Sequence, residues 1–165
     1  MIRKVSFLFV GLSLVVLSQV AGSVNAIAQQ PARAVIFTAS ITTAQETPVP
    51  TPSNAVGAGV FVLNAARTEL AYAVSFTGLS GAASAAHLHG PANVGTAAGV
   101  KRSICAAAEC APGTLLSGVW KSSDMQQLTP ELVTALLQGQ MYFNVHTTAN
   151  GGGEARGQLV PISLP

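Results

Sequence analysis

All three histidines of the chain fall in two short motifs, His87-Leu88-His89-Gly90-Pro91 and Asn144-Val145-His146-Thr147. The second is soon followed by Gly153-Glu154-Ala155-Arg156-Gly157-Gln158-Leu159. Charged residues make up only 8% of the sequence, so much of its ionisable chemistry is gathered in these segments. On an extended strand, residues two apart face the same side, which aims His87 and His89 together from Cα atoms about 6.5 Å apart. The same alternation puts Asn144 and His146 on one face, with Phe143 and Val145 behind them, and lines up Glu154, Arg156 and Gln158. Neutral imidazoles suit Cu²⁺ and Zn²⁺, and three of them leave a coordination position open. Glu46 and Glu154 are available as a fourth ligand or as the acceptor that orients an imidazole from outside the site. The competing reading of the same residues is a hydrogen-bonded polar cluster in which Arg156 pairs with Glu46 or Glu154.

Other chemistries lack their residues. Asp124, the only aspartate, stands far in the pattern from any histidine, so no Ser-His-Asp triad is assembled and no catalytic residue is assigned. Gly151-Gly152-Gly153 leads into a strand without the helix N-terminus or lysine of a phosphate loop. Cys105 and Cys110 are spaced more widely than a redox-active C-x-x-C pair, and in an exported protein they are expected to form a structural disulfide. Trp120 and Tyr142 are read as core or rim aromatics.

The elements that must position these residues are mostly strands. Ala34 to Ile41 alternates Val35, Phe37, Ala39 and Ile41 on one face, Gly57 to Asn64 is apolar and β-branched, and Glu69 to Thr77 places Leu70, Tyr72, Val74 and Phe76 together. Further strands are expected at Ala83 to His89, Thr114 to Trp120, Gln140 to His146 and Ala155 to Ile162. The prolines at 48, 50 and 52 make Thr47 to Asn54 an extended loop. Gly90 to Pro112 reads as a long Ala- and Gly-rich excursion stapled by the disulfide. One helix is signalled by Thr129 as N-cap, Pro130, Glu131, the apolar Leu132, Val133, Leu136 and Leu137, and Gly139 past its end. About seven short strands and one helix predict an all-β antiparallel Greek-key sandwich or flattened barrel.

Arg3-Lys4 ahead of the apolar run from Val5 to Val20, with small residues at Ala26 and Ala28, has the form of a secretory signal. Residues 1–28 are therefore expected to be removed and 29–165 to form one domain in the periplasm or outside the cell. The chain carries eight basic and six acidic side chains, and loss of Arg3 and Lys4 leaves the two signs balanced. Without a basic stripe, neither nucleic acid nor an anionic membrane surface is an expected partner.

The histidine motifs, the Glu154 to Leu159 segment and Ala44-Gln45-Glu46-Thr47-Pro48 together resemble the CHRD domain, first described in chordin and widespread as a single domain in secreted bacterial proteins. The resemblance runs from roughly Arg33 to Ile162 and implies an immunoglobulin-like or Cu/Zn-superoxide-dismutase-like β-sandwich. In chordin such domains accompany cysteine-rich modules that bind growth factors. Those modules are absent here, so that role does not carry over. The resemblance implies a secreted binding module whose partner is an extracellular protein or envelope component, to which the residues themselves add a candidate mononuclear copper or zinc site at His87, His89 and His146. A copper-dependent redox enzyme and a purely structural or adhesive envelope domain are the alternatives. The two-metal centre of Cu/Zn superoxide dismutases uses six histidines and an aspartate, and three histidines cannot build it.

Overall fold

A computed structural model describes residues 32–50 and 52–162. The expected signal segment lies outside the described residues. Nine strands, β1 (Val35–Thr42), β2 (Val56–Leu63), β3 (Glu69–Thr77), β4 (Ala83–His89), β5 (Val100–Ala106), β6 (Leu116–Lys121), β7 (Tyr142–Thr147), β8 (Ala155–Gln158) and β9 (Val160–Ile162), are joined by short turns and one helix, α1 (Pro130–Leu137). All pair antiparallel along one path, β5-β4-β7-β8-β1-β2-β3-β6, with β9 added beside β1. The sheet is nearly closed and barrel-like. Its two ends are linked by the segment that follows β6: Arg102 of β5 pairs with Asp124 at 3.0 Å, and the Ser103 amide donates to Gln126 Oε1 at 2.9 Å.

The alternating apolar residues face inward. Phe37, Ala39 and Ile41 of β1, Phe61 and Leu63 of β2, Leu70, Val74 and Phe76 of β3, and Phe143 and Val145 of β7 all lie in one buried core. Burying each large apolar side chain contributes about 1.5–3 kcal/mol, so this shared interior holds the path together. The β2–β3 turn is set by Asn64, whose Oδ1 accepts from the amides of Thr68 and Glu69 while Arg67 takes a positive φ of 61°. Helix α1 begins where expected, with Thr129 Oγ1 accepting from the Leu132 amide, and Gly139 follows it at φ 68°. Its buried side is Leu132, Val133, Ala135 and Leu136, while Leu137 faces outward.

Two expectations are corrected. The Gly90 to Pro112 excursion contains β5, whose lone neighbour is β4 and whose residues are mostly half-buried or exposed. An edge strand with one partner carries no strict apolar alternation, and bulges between Ala86 and His87 and between Leu88 and His89 blur its register further. The expected final strand is two strands, because Leu159 turns into the core and donates its amide to Met141 O at 2.8 Å. The chain then leaves β7 and pairs with β1. Cys105 and Cys110 are bonded, closing a short turn at the end of β5.

Candidate metal centre

Pairing between β4, β7 and β8 assembles the polar residues on one face. In the register, His87 stands opposite Asn144, His89 opposite Tyr142 and Ala85 opposite His146, while Arg156 of β8 stands opposite Asn144 from the other side. Leu88, Phe143 and Val145 point the other way and are fully buried, so the core side of the strands fixes the direction of the histidines. The polar face is itself covered: Glu46, His89, Asn144, Glu154, Arg156 and Gln158 are all buried.

One ring nitrogen from each of His87, His89 and His146 lies within 4.8 Å of the others. The ring centroids are 5.5 Å apart for His87 and His89, 4.9 Å for His87 and His146, and 5.8 Å for His89 and His146. His89 Nδ1 is 2.9 Å from Ala98 O, and His146 Nδ1 is 3.1 Å from Gly151 O. A carbonyl can only accept, so each Nδ1 carries the proton and each neutral ring keeps its lone pair on Nε2. Those two Nε2 atoms, with His87 Nδ1, are buried and have no hydrogen-bond partner in the protein. Buried partnerless nitrogens also occur singly in Arg67, Arg102 and Arg156, but among the described residues only His87, His89 and His146 form a group that could hold an ion.

Burial pushes all three imidazoles below the ordinary range. His87 falls furthest, to about 4, through burial and then the proximity of His146 and His89. For His89, burial outweighs the Ala98 bond, and Arg156 adds to the downward shift. The rings are thus kept in the uncharged form that a metal requires.

The supporting residues do other work than expected. Among the described residues, no ion pair joins Arg156 to Glu46 or Glu154. Arg156 instead donates from Nε to Gln45 O at 2.6 Å and from Nη1 to Thr96 O at 3.0 Å. Its guanidinium lies 4.4 Å over the Tyr142 ring, which stacks on His89 at 4.9 Å and 7°. Neither carboxylate joins the histidine group. Glu46 accepts from Asn144 Nδ2 and from the Thr47 amide, and burial raises its carboxyl above the usual range. Glu154 accepts from Ser53, Ser80, Thr147 and Asn150. Burial alone would raise Glu154, but those hydrogen bonds prevail and hold it at about 2. Gln158 Nε2 donates to Ala92 O and Gly139 O.

Three participants were not legible as such. Tyr142 packs on His89 and its hydroxyl accepts from the Ala98 amide at 3.0 Å, pinning the loop that supplies the His89 acceptor. Ala98 and Gly151 act through backbone carbonyls, which leave no mark on residue type.

The fold and site define a class: an antiparallel β domain with a cluster of three histidines on the face of the sheet opposite its apolar core. The CHRD domain model matches residues 37–159, and the chain belongs to the CHRD domain family. No curated protein and no solved structure matches it.

Proposed function

We propose that this chain is a secreted CHRD binding module that carries one metal ion on His87, His89 and His146. The observation that supports this reading is the grouping of His87, His89 and His146, each with a ring nitrogen within 4.8 Å of the others and each with one buried ring nitrogen that has no protein partner. An unsatisfied buried polar group costs about 1–3 kcal/mol, and a shared ion satisfies all three at once. Two nitrogens each about 2.0 Å from one ion stand at most about 4 Å apart, so small side-chain rotations close the set. The Ala98 and Gly151 carbonyls are the outer acceptors that fix ring orientation in a metal centre. Secretion rests on the Arg3 to Ala28 pattern and on the family resemblance.

Elemental analysis and calorimetry of untagged protein test the reading. One equivalent of copper or zinc is expected to bind, and His87→Ala, His89→Ala and His146→Ala should each weaken it at least tenfold while leaving the β-sheet spectrum unchanged. Absence of saturable binding at micromolar metal would leave the residues as a polar cluster that serves the fold alone.

A further inference from the structure

Taking the three histidines as a metal centre, we propose that it is a copper(I) site, holding Cu⁺ in preference to Cu²⁺ and Zn²⁺. Charge carries the argument. All three candidate ligands are neutral rings, and every nearby carboxylate is committed elsewhere: Glu46 to Asn144 and Thr47, Glu154 to its ring of hydroxyls and amides. A divalent ion would place two positive charges in a partly buried site with no anionic ligand among its three histidines, and the desolvation cost of an ion rises with the square of its charge.

A fixed cation stands behind the site as well. Arg156 is 1% exposed and held by two backbone carbonyls over Tyr142, which stacks on His89. Through the Tyr142 ring the Arg156 guanidinium sits behind His89, whereas the hydrogen bonds of Glu46 and Glu154 go to other residues than the three histidines. At about 10 Å and an effective dielectric constant near 20, one unit charge changes the balance between a monovalent and a divalent ion by on the order of tenfold. Arg156 is in this sense a tuning residue that touches no ligand atom of the metal. Donor number points the same way, since Cu²⁺ favours a tetragonal N,O set and the described residues offer three nitrogens.

The test is the reduction potential of copper bound to the untagged full-length protein. It is joined to Cu⁺ affinity measured anaerobically against a chromophoric chelator and to competition by Zn²⁺. The bound couple is expected to lie above the aqueous Cu²⁺/Cu⁺ couple, each tenfold preference for Cu⁺ adding about 59 mV. Arg156→Gln should lower the preference about tenfold, and Arg156→Lys should retain most of it. A potential at or below the aqueous couple, or displacement of Cu⁺ by equimolar Zn²⁺, overturns the proposal while leaving a metal centre in place. An unchanged potential in a folded Arg156→Gln variant removes Arg156 from it. If that variant does not fold, the wild-type potential decides alone. Failure to bind copper or zinc in any state would end the metal-centre reading and this inference with it.

Discussion

His89 on β4 and His146 on β7 are oriented by the same kind of contact, an Nδ1–H donated to a loop carbonyl, Ala98 for one and Gly151 for the other. Each loop follows its histidine in the chain, and each contact leaves a buried Nε2 without a protein partner. His87 has no such anchor: its Nδ1 is buried without a protein partner. The arrangement is pre-organised at two positions and adjustable at the third.

Acid should therefore act on the protein below the ordinary imidazole range. In the unfolded chain a histidine takes its proton near 6.5, whereas folded His87 does so only at about 4. Between those values the unfolded state binds more protons, so stability falls as pH drops through this window. Metal affinity should persist below the ordinary imidazole value of 6.5 and be lost as pH falls through about 4. Urea midpoints at pH 7, 5.5 and 4.5 check the first part: His87→Gln should lose less stability across the series than the wild type. Parallel losses in the two proteins would show that His87 titrates normally.

Arg156→Ala should destabilise far more than Lys121→Ala. Arg156 is buried with two hydrogen bonds to carbonyls and a stacked Tyr142, so its loss removes charged hydrogen bonds worth about 1.5–3 kcal/mol each in addition to packing. Lys121 is about half exposed and pairs with Glu69 at 3.5 Å, which is worth at most about 1 kcal/mol. Equal urea midpoints would contradict this ranking.

How far the sequence exposes this design depends on which kind of contact is involved. Strands such as Glu69–Thr77 and Ala83–His89 could be read to the residue, because alternation of Leu70, Val74 and Phe76 maps directly onto burial. The same alternation brings His87 to the side of His146, since both strands turn their apolar residues to one core. What stayed hidden was set by loops and by partners distant in sequence. Arg156 and Glu154 were legible as charges that share one polar face, but Arg156 satisfies itself on carbonyls at 45 and 96, and Glu154 on hydroxyls from three separate segments. A carbonyl is present at every residue, so composition cannot announce which one will accept. Edge strand β5 escaped for a related reason: with one neighbour, it shows too weak an apolar pattern.

Glu154→Gln should be among the most destabilising isosteric changes in the domain. The carboxylate is fully buried and serves only donors, joining the loop at Ser53, the β3–β4 turn at Ser80 and the end of β7 at Thr147. A glutamine turns an NH2 toward those donors, and a loss of about 3 kcal/mol or more is expected from two broken charge-assisted bonds. The wild-type contribution is complete above the ordinary carboxyl value of 4.5 and is lost as pH falls toward about 2, because only the folded state resists protonation there. Chemical denaturation at pH 6 and pH 3 should show the variant and the wild type converging in acid. A constant gap would mean that the charge is not what Glu154 supplies.

Of the three consecutive glycines before β8, only the last should resist substitution. Gly151 and Gly152 are exposed, and a Cβ on either would meet nothing within 4 Å. Gly153 is buried at φ +132°, where an added Cβ would come within 2.5 Å of both Asn144 Nδ2 and Glu46 Oε2. Backbone strain at such a φ costs about 1–3 kcal/mol, and the steric clash falls on the hydrogen bond between Glu46 and Asn144, directly across β7 from His87. Gly151→Ala and Gly152→Ala should stay within about 0.5 kcal/mol of the wild type and keep its metal affinity, since the Gly151 carbonyl that orients His146 is retained. Gly153→Ala should cost at least about 2 kcal/mol and shift the Asn144 side-chain amide resonance. A Gly153→Ala protein as stable as the other two would show that the Glu46 and Asn144 pair has room to move and does not set the polar face against the histidines.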